Sequence, residues 1–494
     1  MLKPNIRVAL TFAAVFVAVT ATPGASVAQT AATEQVLTGF GALDANCANA
    51  TGANILSPLV DGLDGSFYGV TVNGGANGMG TVFKIGADGS YVVLYSFGSK
   101  ASNSDGALPN ALTRGSDGNF YGTTYAGGVA GGQELPRSSG TTYCYGLHGL
   151  GTVFRITPAG QLSTLHAFGA FTSGGNNIGV NADGAYPMSR LALGKDGNLY
   201  GTAYTGGANS TGTVFQVDAA TGNVTPIYAF PSRVGNTSQG VIQGADGKLY
   251  GVQSGEFYSL TLQGEYTTIH VFSIIGGEEG ALPNDIVQGT DGNFYGTAQR
   301  GGANGYGAVF KIDASGSYTS LHDFTPPGAA GNQDSKNADG ISPFAPLVEA
   351  ADGAFYGTTS EAGPNAFGTV FKVTTSGTFS VIYAFGNQVP DGALSYSPLI
   401  EASDGKLWGA TARGEQEQPG TSNSPDLFSG PYVNGTIFHI TLPASSAAGG
   451  GTTGGQTSEH SGGGGKQNLE ELAWLATLVV ANSIYRRRLR WQKL

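Results

Sequence analysis

Residues 117–123 read DGNFYGT, and residues 151–156 of the same unit read GTVFRI. The first motif, Asp-Gly-x-[Phe/Leu]-[Tyr/Trp]-Gly, recurs seven times, beginning at Asp64, Asp117, Asp196, Asp246, Asp291, Asp352 and Asp404. The second motif begins at Gly80, Gly151, Gly212, Gly307, Gly368 and Gly435, and a degenerate copy at 254–260 fills the remaining place. A third motif, similar to LYSF, ends at Phe97, Phe168, Phe230, Phe272, Phe324 and Phe385. Such recurrence predicts an architecture built from repeated units.

Each unit predicts four short antiparallel strands, A to D, because Asp-Gly is a strong hairpin signal and Gly accepts positive φ. The adjacent aromatic residues of strand B face opposite sides of a sheet, so each can pack on a neighbouring unit. The third motif has only six downstream copies, and VLTGF at residues 36–40 supplies the seventh. We therefore expect an all-β, seven-bladed β-propeller over residues 33–443, closed by its N-terminal strand. The motif counts favour seven blades over six or eight, and the fourth blade is expected to be the least regular.

The ordered series DGNFYGTT…GG…GTVFKI…LYSF…DGALP resembles the GloVer tandem repeats of choice-of-anchor bacterial surface proteins. The resemblance covers about residues 33–441 and rests on several motifs that recur in a fixed order. It implies a propeller with a variable C-terminal anchor, and it supplies no catalytic residues to transfer.

The two ends of the chain predict export and attachment. Residues 1–28 resemble a cleaved signal peptide, with Lys3 and Arg7 before an apolar stretch and small residues before a cut at Gln29. A membrane anchor is the alternative, but this stretch is short for a membrane span. Residues 444–468 form a Gly/Ser/Thr-rich flexible linker. Residues 469–494 follow as a short hydrophobic helix with an Arg-rich end, typical of a sorting signal or a short anchor; an amphipathic tail is the alternative.

Composition and charge narrow the function classes. With 82 Gly among 494 residues and only 12% charged residues, a mainly helical protein is disfavoured. Residues 29–443 carry 15 Lys+Arg and 31 Asp+Glu, which gives 15 − 31 = −16. Nucleic acid is excluded as a partner by its phosphate charge. We expect a monomer at the cell surface or outer envelope, or released outside the cell, with membrane contact only through the C-terminal tail.

The two cysteines, Cys47 and Cys144, are expected on the same face of adjoining blades, and we predict that they form a disulfide in this exported chain. A reactive thiol beside His148 is the alternative. No cofactor and no metal site are expected. His166, His270 and His322 share one strand position, which indicates packing, and the carboxylates of the Asp-Gly motif fit turns better than calcium.

The variable B–C and D–A connections emerge on one face, which carries long insertions at 125–150 and 410–434. We expect this face to bind ligands through Tyr125, Tyr143, Tyr145, Asp183, Asp339 and Tyr432. The predicted function is a surface binding module for glycan, cell-wall material or protein. The alternative is an extracellular lyase or hydrolase acting on polysaccharide or a small molecule, with paired acids such as Asp183 and Asp339, or Glu349 and Glu401. A third reading is a structural envelope protein.

Overall fold

Antiparallel hairpins joined by the Asp-Gly turns form a seven-bladed β-propeller with four-stranded blades in the computed structural model of the protein. The structure describes residues 32–44, 46–128, 149–175, 178–231, 238–253, 255–273, 279–328, 336–386, 392–412 and 434–442. Within these ranges the only helical element is a short 3-10 turn, Ala101–Asn103. The predicted fold class is therefore confirmed.

The strands follow the repeat. The N-terminal strand is β1 (Thr33–Gly39). Blade 1 holds β2 (Val60–Asp61), β3 (Ser66–Thr71), β4 (Thr81–Gly86) and β5 (Tyr91–Ser96). Blade 2 holds β6 (Ala107–Arg114), β7 (Phe120–Ala126), β8 (Thr152–Ile156) and β9 (Leu162–Ala167), and a hairpin of β10 (Ser173–Gly175) and β11 (Ile178–Val180) follows it. Blade 3 holds β12 (Ala185–Pro187), β13 (Ala192–Leu193), β14 (Leu199–Thr205), β15 (Thr213–Val217) and β16 (Val224–Ala229), with its innermost strand split in two.

The remaining blades repeat the same order. Blade 4 holds β17 (Ser238–Gln243), β18 (Leu249–Gln253), β19 (Glu256–Leu260) and β20 (Tyr266–Val271). Blade 5 holds β21 (Gly280–Gln288), β22 (Phe294–Gly301), β23 (Ala308–Ile312) and β24 (Tyr318–Asp323). Blade 6 holds β25 (Val348–Glu349), β26 (Phe355–Thr359), β27 (Thr369–Val373) and β28 (Phe379–Ala384). Blade 7 holds β29 (Ile400–Glu401), β30 (Leu407–Thr411) and β31 (Thr436–Thr441).

The N-terminal strand closes the ring. Strand β1 pairs antiparallel with β31, from Thr33 opposite Thr441 to Gly39 opposite Thr436, and so supplies the outer strand of blade 7. Phe40 follows it and is 1% exposed, with its ring 5.5 Å from that of Tyr91 in blade 1. Strand β1 and Phe40 therefore join the last blade to the first, as the motif count predicts.

The core lies between blades rather than within them. The second aromatic residue of each strand B packs on the first large residue of the next strand B, as in Tyr68 on Phe120 at 4.2 Å and Tyr295 on Phe355 at 4.0 Å. Trp408 of blade 7 stacks on Phe67 of blade 1 at 3.9 Å and completes the circuit. Seven buried clusters, each shared by two adjoining blades, result from this arrangement. The expected packing of strand B aromatics on neighbouring blades is confirmed.

Two details differ from the sequence expectation. Blade 4, expected to be the least regular, forms a complete four-stranded sheet. Strand A of blade 2 is longer than the short strand expected and runs from Ala107 to Arg114, with a bulge between Pro109 and Leu112. The bulge accommodates one extra residue in β6, so that β6 pairs with β7 on both sides of it.

Candidate functional site

The antiparallel strand order gives the propeller two different faces. The B–C links and D–A connections emerge on one of them, called the loop face, and the A–B and C–D turns emerge on the other, called the turn face. Of the two insertions expected on the loop face, 125–150 and 410–434, residues 129–148 and 413–433 lie outside the described part of the chain. Tyr143, Cys144, Tyr145 and Tyr432 belong to these insertions and are likewise outside the described residues. Cys47 is buried in the connection that enters blade 1, and its pairing with Cys144 stays a prediction.

Asp183 and Asp339 cap turns on the loop face, and each contacts a histidine from the end of the preceding strand D. Asp183 Oδ2 lies 2.8 Å from His166 Nε2 and accepts the backbone N–H of Gly169 at 3.2 Å. Asp339 Oδ2 lies 3.0 Å from His322 Nε2 and accepts the backbone N–H of Thr325. At the equivalent positions of blades 1 and 4, the Tyr95 hydroxyl donates to Asp105 Oδ2 at 2.8 Å, and His270 Nε2 lies 3.1 Å from Glu279 Oε2. The histidine position that the sequence assigns to packing is thus also a hydrogen-bonding position.

The contacts of Asp339 shift the pKa of its carboxyl group. Burial raises its pKa, but hydrogen bonds from His322 and Thr325 and the charge of His322 lower it more, so that the pKa lies below the ordinary value. Asp183 and Asp339 sit in the connections leading to blades 3 and 6, and each binds its own histidine. The structure does not bring them together as an acid–base pair.

Asparagines that the sequence analysis missed hold the same connections. Asn181 Nδ2 donates to the carbonyl oxygens of Gly169 and Gly184, and its Oδ1 accepts the N–H groups of Gly184 and Gly207. Asn337 makes the equivalent four bonds before blade 6. The recurring Asn-Ala-Asp-Gly at 181–184 and 337–340 is the signal that could have found them.

Tyr125 lies at the end of strand β7, next to the insertion of blade 2. Its ring is partly exposed and stacks on Tyr186 of blade 3, with centroids 5.1 Å apart and planes 28° apart. Phe171 and Tyr204, both partly exposed, pack on the same cluster. Tyr186 is 2% exposed, and burial raises its pKa to about 12. Partly exposed aromatic rings on a buried support therefore border the loop face between blades 2 and 3.

Tyr186 also has a positive φ of 54°, which is uncommon for an aromatic residue. Its backbone N–H donates to the carbonyl oxygen of Leu150, in the B–C link of the preceding blade, at 2.7 Å. Leu108, Ser342 and Leu394 have the same φ and make the same kind of bond. This backbone conformation is part of the repeat, so it carries no functional signal at Tyr186 alone.

The Asp-Gly carboxylates on the turn face serve as turn caps. Asp291 Oδ1 accepts the N–H of Asn293 at 3.0 Å, and Asp291 Oδ2 accepts the hydroxyl of Tyr295 at 2.7 Å. Six blades share both bonds; in the seventh, Trp408 replaces the tyrosine and Asp404 keeps only the backbone bond and an ion pair with Lys406. In each case the carboxylate is already used by its own hairpin, which favours turn chemistry over calcium binding.

Glu349 and Glu401, the other expected acid pair, join neighbouring blades. Glu349 accepts the backbone N–H of Thr290 at 2.9 Å and its hydroxyl at 2.7 Å. Glu401 accepts the backbone N–H of Ala351 at 2.8 Å, and burial raises its pKa. Each glutamate binds the blade before its own, so the two do not form a pair.

Two further findings concern the described ranges alone. They contain no cluster of three or more His, Cys, Asp or Glu side chains arranged to hold a metal ion. They also contain no helix with the length and apolar character that crossing a membrane requires.

Comparison with known proteins identifies the repeat. The model of the Gloeobacter/Verrucomicrobia repeat matches residues 139–256 and 252–448, which is more than half of the chain. The chain belongs to this repeat family. No curated protein matches the sequence.

Several solved structures are similar to this chain. They include a structural genomics protein of unknown function from Bacteroides thetaiotaomicron (16% identity, TM-score 0.39, covering 71% of this chain and 76% of that chain). An oligogalacturonate lyase in complex with manganese matches at 11% identity and a TM-score of 0.46, covering 84% and 99%. The oligogalacturonate lyase of Vibrio parahaemolyticus matches at 8% identity and a TM-score of 0.46, covering 85% and 96%. Likenesses of this size carry no functional inference.

Proposed function

We propose that this member of the Gloeobacter/Verrucomicrobia repeat family is an exported binding module, displayed on the bacterial envelope by a C-terminal choice-of-anchor tail. Its loop face would bind an extracellular ligand: a glycan, cell-wall material or a protein. Export rests on residues 1–28 as a cleaved signal peptide, and attachment rests on residues 469–494.

One observation carries the binding proposal. The acids that could serve catalysis, Asp183, Asp339, Glu349 and Glu401, are bonded to other parts of the scaffold, whereas Tyr125 presents a partly exposed ring on a buried support. Tyrosine offers large contact area at a small cost in conformational entropy, which suits a binding surface. Tyr125 also lies where the 129–148 insertion begins, so the aromatic patch and the insertion would act together.

The test is ligand-dependent thermal unfolding of residues 29–443. The panel would contain polysaccharides, peptidoglycan fragments and divalent ions, with EDTA as a control. A ligand at 100 times its Kd adds about 2.7 kcal/mol to stability. We expect a shift with one ligand class that Tyr125→Ala and removal of the 129–148 insertion abolish.

Tyr306 provides a matched control, because it is 36% exposed in the B–C link of blade 5 on the same face. Tyr306→Ala should leave the ligand shift intact if binding is local to blades 2 and 3. Equal losses from both variants would contradict a site at Tyr125. If the protein converts the bound ligand into a product, the alternative function, an extracellular lyase or hydrolase, would be favoured over the binding module.

Export has its own test. The chain expressed in a bacterial host should be recovered outside the cytoplasm, with Gln29 as its first residue by mass spectrometry. Recovery of the intact N-terminus in the cytoplasm would contradict the proposal.

A further inference from the structure

Blade 7 departs from the repeat at two paired positions. Trp408 stands where the other six strands B have tyrosine, and His439 stands where strand C has lysine in blades 1, 5 and 6 and arginine in blade 2. The two residues lie opposite each other in the ladder of β30 and β31, with ring centroids 5.4 Å apart. Trp408 is fully buried and His439 is 4% exposed. A titratable imidazole is therefore buried in the blade that β1 completes.

His439 lies in the ladder that holds the closing strand. It is paired with Gln35 of β1 on one side and with Trp408 of β30 on the other. Opposite residues in an antiparallel ladder project to the same face of the sheet, and on that face Trp408 stacks on Phe67 of blade 1 at 3.9 Å. The imidazole therefore lies on the face of blade 7 that packs on blade 1. Neither of the two stacked rings brings a charge to this junction.

The hydrogen-bond geometry requires a neutral His439. Its Nε2 lies 3.3 Å from Lys406 Nζ. An ammonium group only donates hydrogen bonds, so Nε2 accepts this one and carries no proton. The ring proton is then on Nδ1, which is buried and has no hydrogen-bond partner among the described residues. A second ring proton would break the bond from Lys406, and no carboxylate on Nδ1 balances its charge.

Two ionised groups of the A–B turn act on this imidazole. Lys406 Nζ also lies 3.5 Å from Asp404 Oδ2. Burial and the charge of Lys406 lower the pKa of His439, and they outweigh the opposing effects of Asp404 and of the His439 backbone. Gln35, across the ladder, is uncharged, and Glu34 beside it projects to the opposite face of the sheet. The surroundings of His439 therefore favour the neutral ring.

We propose that the junction between blades 7 and 1 is an acid-sensitive latch, in which protonation of His439 weakens the pairing of β1 with β31 and opens the ring. The added proton places two cations 3.3 Å apart at the edge of a buried ladder. Every other outer strand follows its partner strand through a C–D turn, whereas β1 lies at the far end of the sequence from β31. Strand β1 is therefore the strand that can separate when the imidazole becomes charged.

The sign of the pH effect follows from the lowered pKa of His439. A histidine that is neutral in the folded protein takes up a proton more readily when the protein unfolds. The stabilisation is therefore fully present above the unfolded pKa of about 6.5, and it is lost as the pH falls from there through the folded pKa. The latch is closed at neutral pH and weakened in mild acid.

The repeat supplies the substitution for a first test. His439→Gln installs the residue of blade 3, Gln216, which does not titrate and still offers Lys406 an acceptor. Hydrogen exchange of the full chain is measured by mass spectrometry at pH 7.5 and pH 5.5. The ratio of β1 exchange rates, wild type over His439→Gln, should rise about threefold or more on acidification, whereas the ratio for β5 should stay constant. An unchanged β1 ratio would overturn the proposal.

Trp408 gives an independent readout of the titration. A protonated imidazole quenches the fluorescence of an adjacent indole, and replacing Trp474 and Trp491 by phenylalanine leaves Trp408 as the only tryptophan of the full chain. The folded protein should lose fluorescence in one step below about pH 6.5, and His439→Gln should abolish the step. Lys406→Ala, which installs the residue of blade 6, should move the step to higher pH because it removes the neighbouring cation. A step that neither substitution changes would refute the latch.

His166→Tyr is the matched control. It removes a histidine that contacts Asp183 on the loop face, and it installs the tyrosine that blade 1 has at the same position. The fluorescence step and the rise in the β1 exchange ratio should both persist in this variant. Their loss would show that the acid response does not come from His439.

Discussion

Replacing Phe40 by Ala should cost as much stability as replacing Phe97, although Phe40 lies beyond the last residue of an N-terminal strand. The two residues are equivalents in the repeat, 1% and 0% exposed respectively. The Phe40 ring lies 5.5 Å from Tyr91 and 6.3 Å from Phe83, and the Phe97 ring lies 5.2 Å from Phe154. A Phe→Ala change in a core that cannot collapse costs about 3–5 kcal/mol, which includes the lost aromatic pairs.

The comparison tests ring closure because the two phenylalanines differ only in how their strand is held. Phe97 follows an outer strand in the interior of the sequence, whereas Phe40 follows β1, which begins four residues after the first residue of the 29–443 chain. If β1 frays, the Phe40 contacts are already absent part of the time in the folded protein. Phe40→Ala would then lower the free energy of unfolding only slightly.

Urea unfolding of residues 29–443 provides the assay. Of the three tryptophans of the chain, this range contains only Trp408, which stacks on Phe67 across the junction that β1 closes. Its fluorescence therefore reports on that junction, and far-ultraviolet circular dichroism reports on the whole ring. Coincident transitions with equal free-energy losses for both variants would support closure. A loss below about 1 kcal/mol for Phe40→Ala, with the full loss for Phe97→Ala, would refute the reasoning.

Two further predictions concern single hydrogen-bonding groups. Asp339 has a lowered pKa, so the stability it provides is present above its unfolded pKa of about 3.9 and is lost as the pH falls through its folded pKa. Asp339→Asn should therefore cost about 1–3 kcal/mol at pH 7 and much less at pH 3, as measured by thermal unfolding; an equal cost at both would contradict the role of the carboxylate. Tyr295→Phe loses the bond to Asp291 but keeps the ring stack on Phe355, so urea unfolding should show a loss of about 1 kcal/mol. A loss as large as that of Phe355→Ala, about 3–5 kcal/mol, would show that the hydroxyl and not the stack holds blades 5 and 6 together.

The fold was accessible from the sequence because its determinants are local and repeated. An Asp-Gly turn, two adjacent aromatics and a short apolar strand specify one hairpin each, and seven copies leave little choice of architecture. The closing role of residues 36–40 followed from counting motifs. The hairpin of β10 and β11 was not predicted, since it lies in a connection outside the repeat and carries no aromatic signal.

The candidate site was harder to predict, because hydrogen-bond partners depend on distances across blades. The sequence placed Asp183 and Asp339 at the loop face but gave no means of seeing that His166 and His322 would meet them. The histidines were assigned to packing from their shared position, which is correct for their rings: His322 stacks on Phe379 at 3.6 Å. A shared position can thus serve packing and hydrogen bonding together.

Departures from a repeat are a better guide to special chemistry than the repeated residues themselves. The Asp-Gly carboxylates are the most conspicuous acids of the chain, yet six of the seven accept the same two hydrogen bonds within their own hairpins. A role needed in every blade is a role in building the blade. Tyr258 replaces the phenylalanine of the other six strands C, Asp285 differs from its equivalents in strand A, and each holds a buried oxygen atom without a hydrogen-bond partner among the described residues. Because a buried polar atom without a bond costs stability, these two departures cannot be explained as part of building the scaffold.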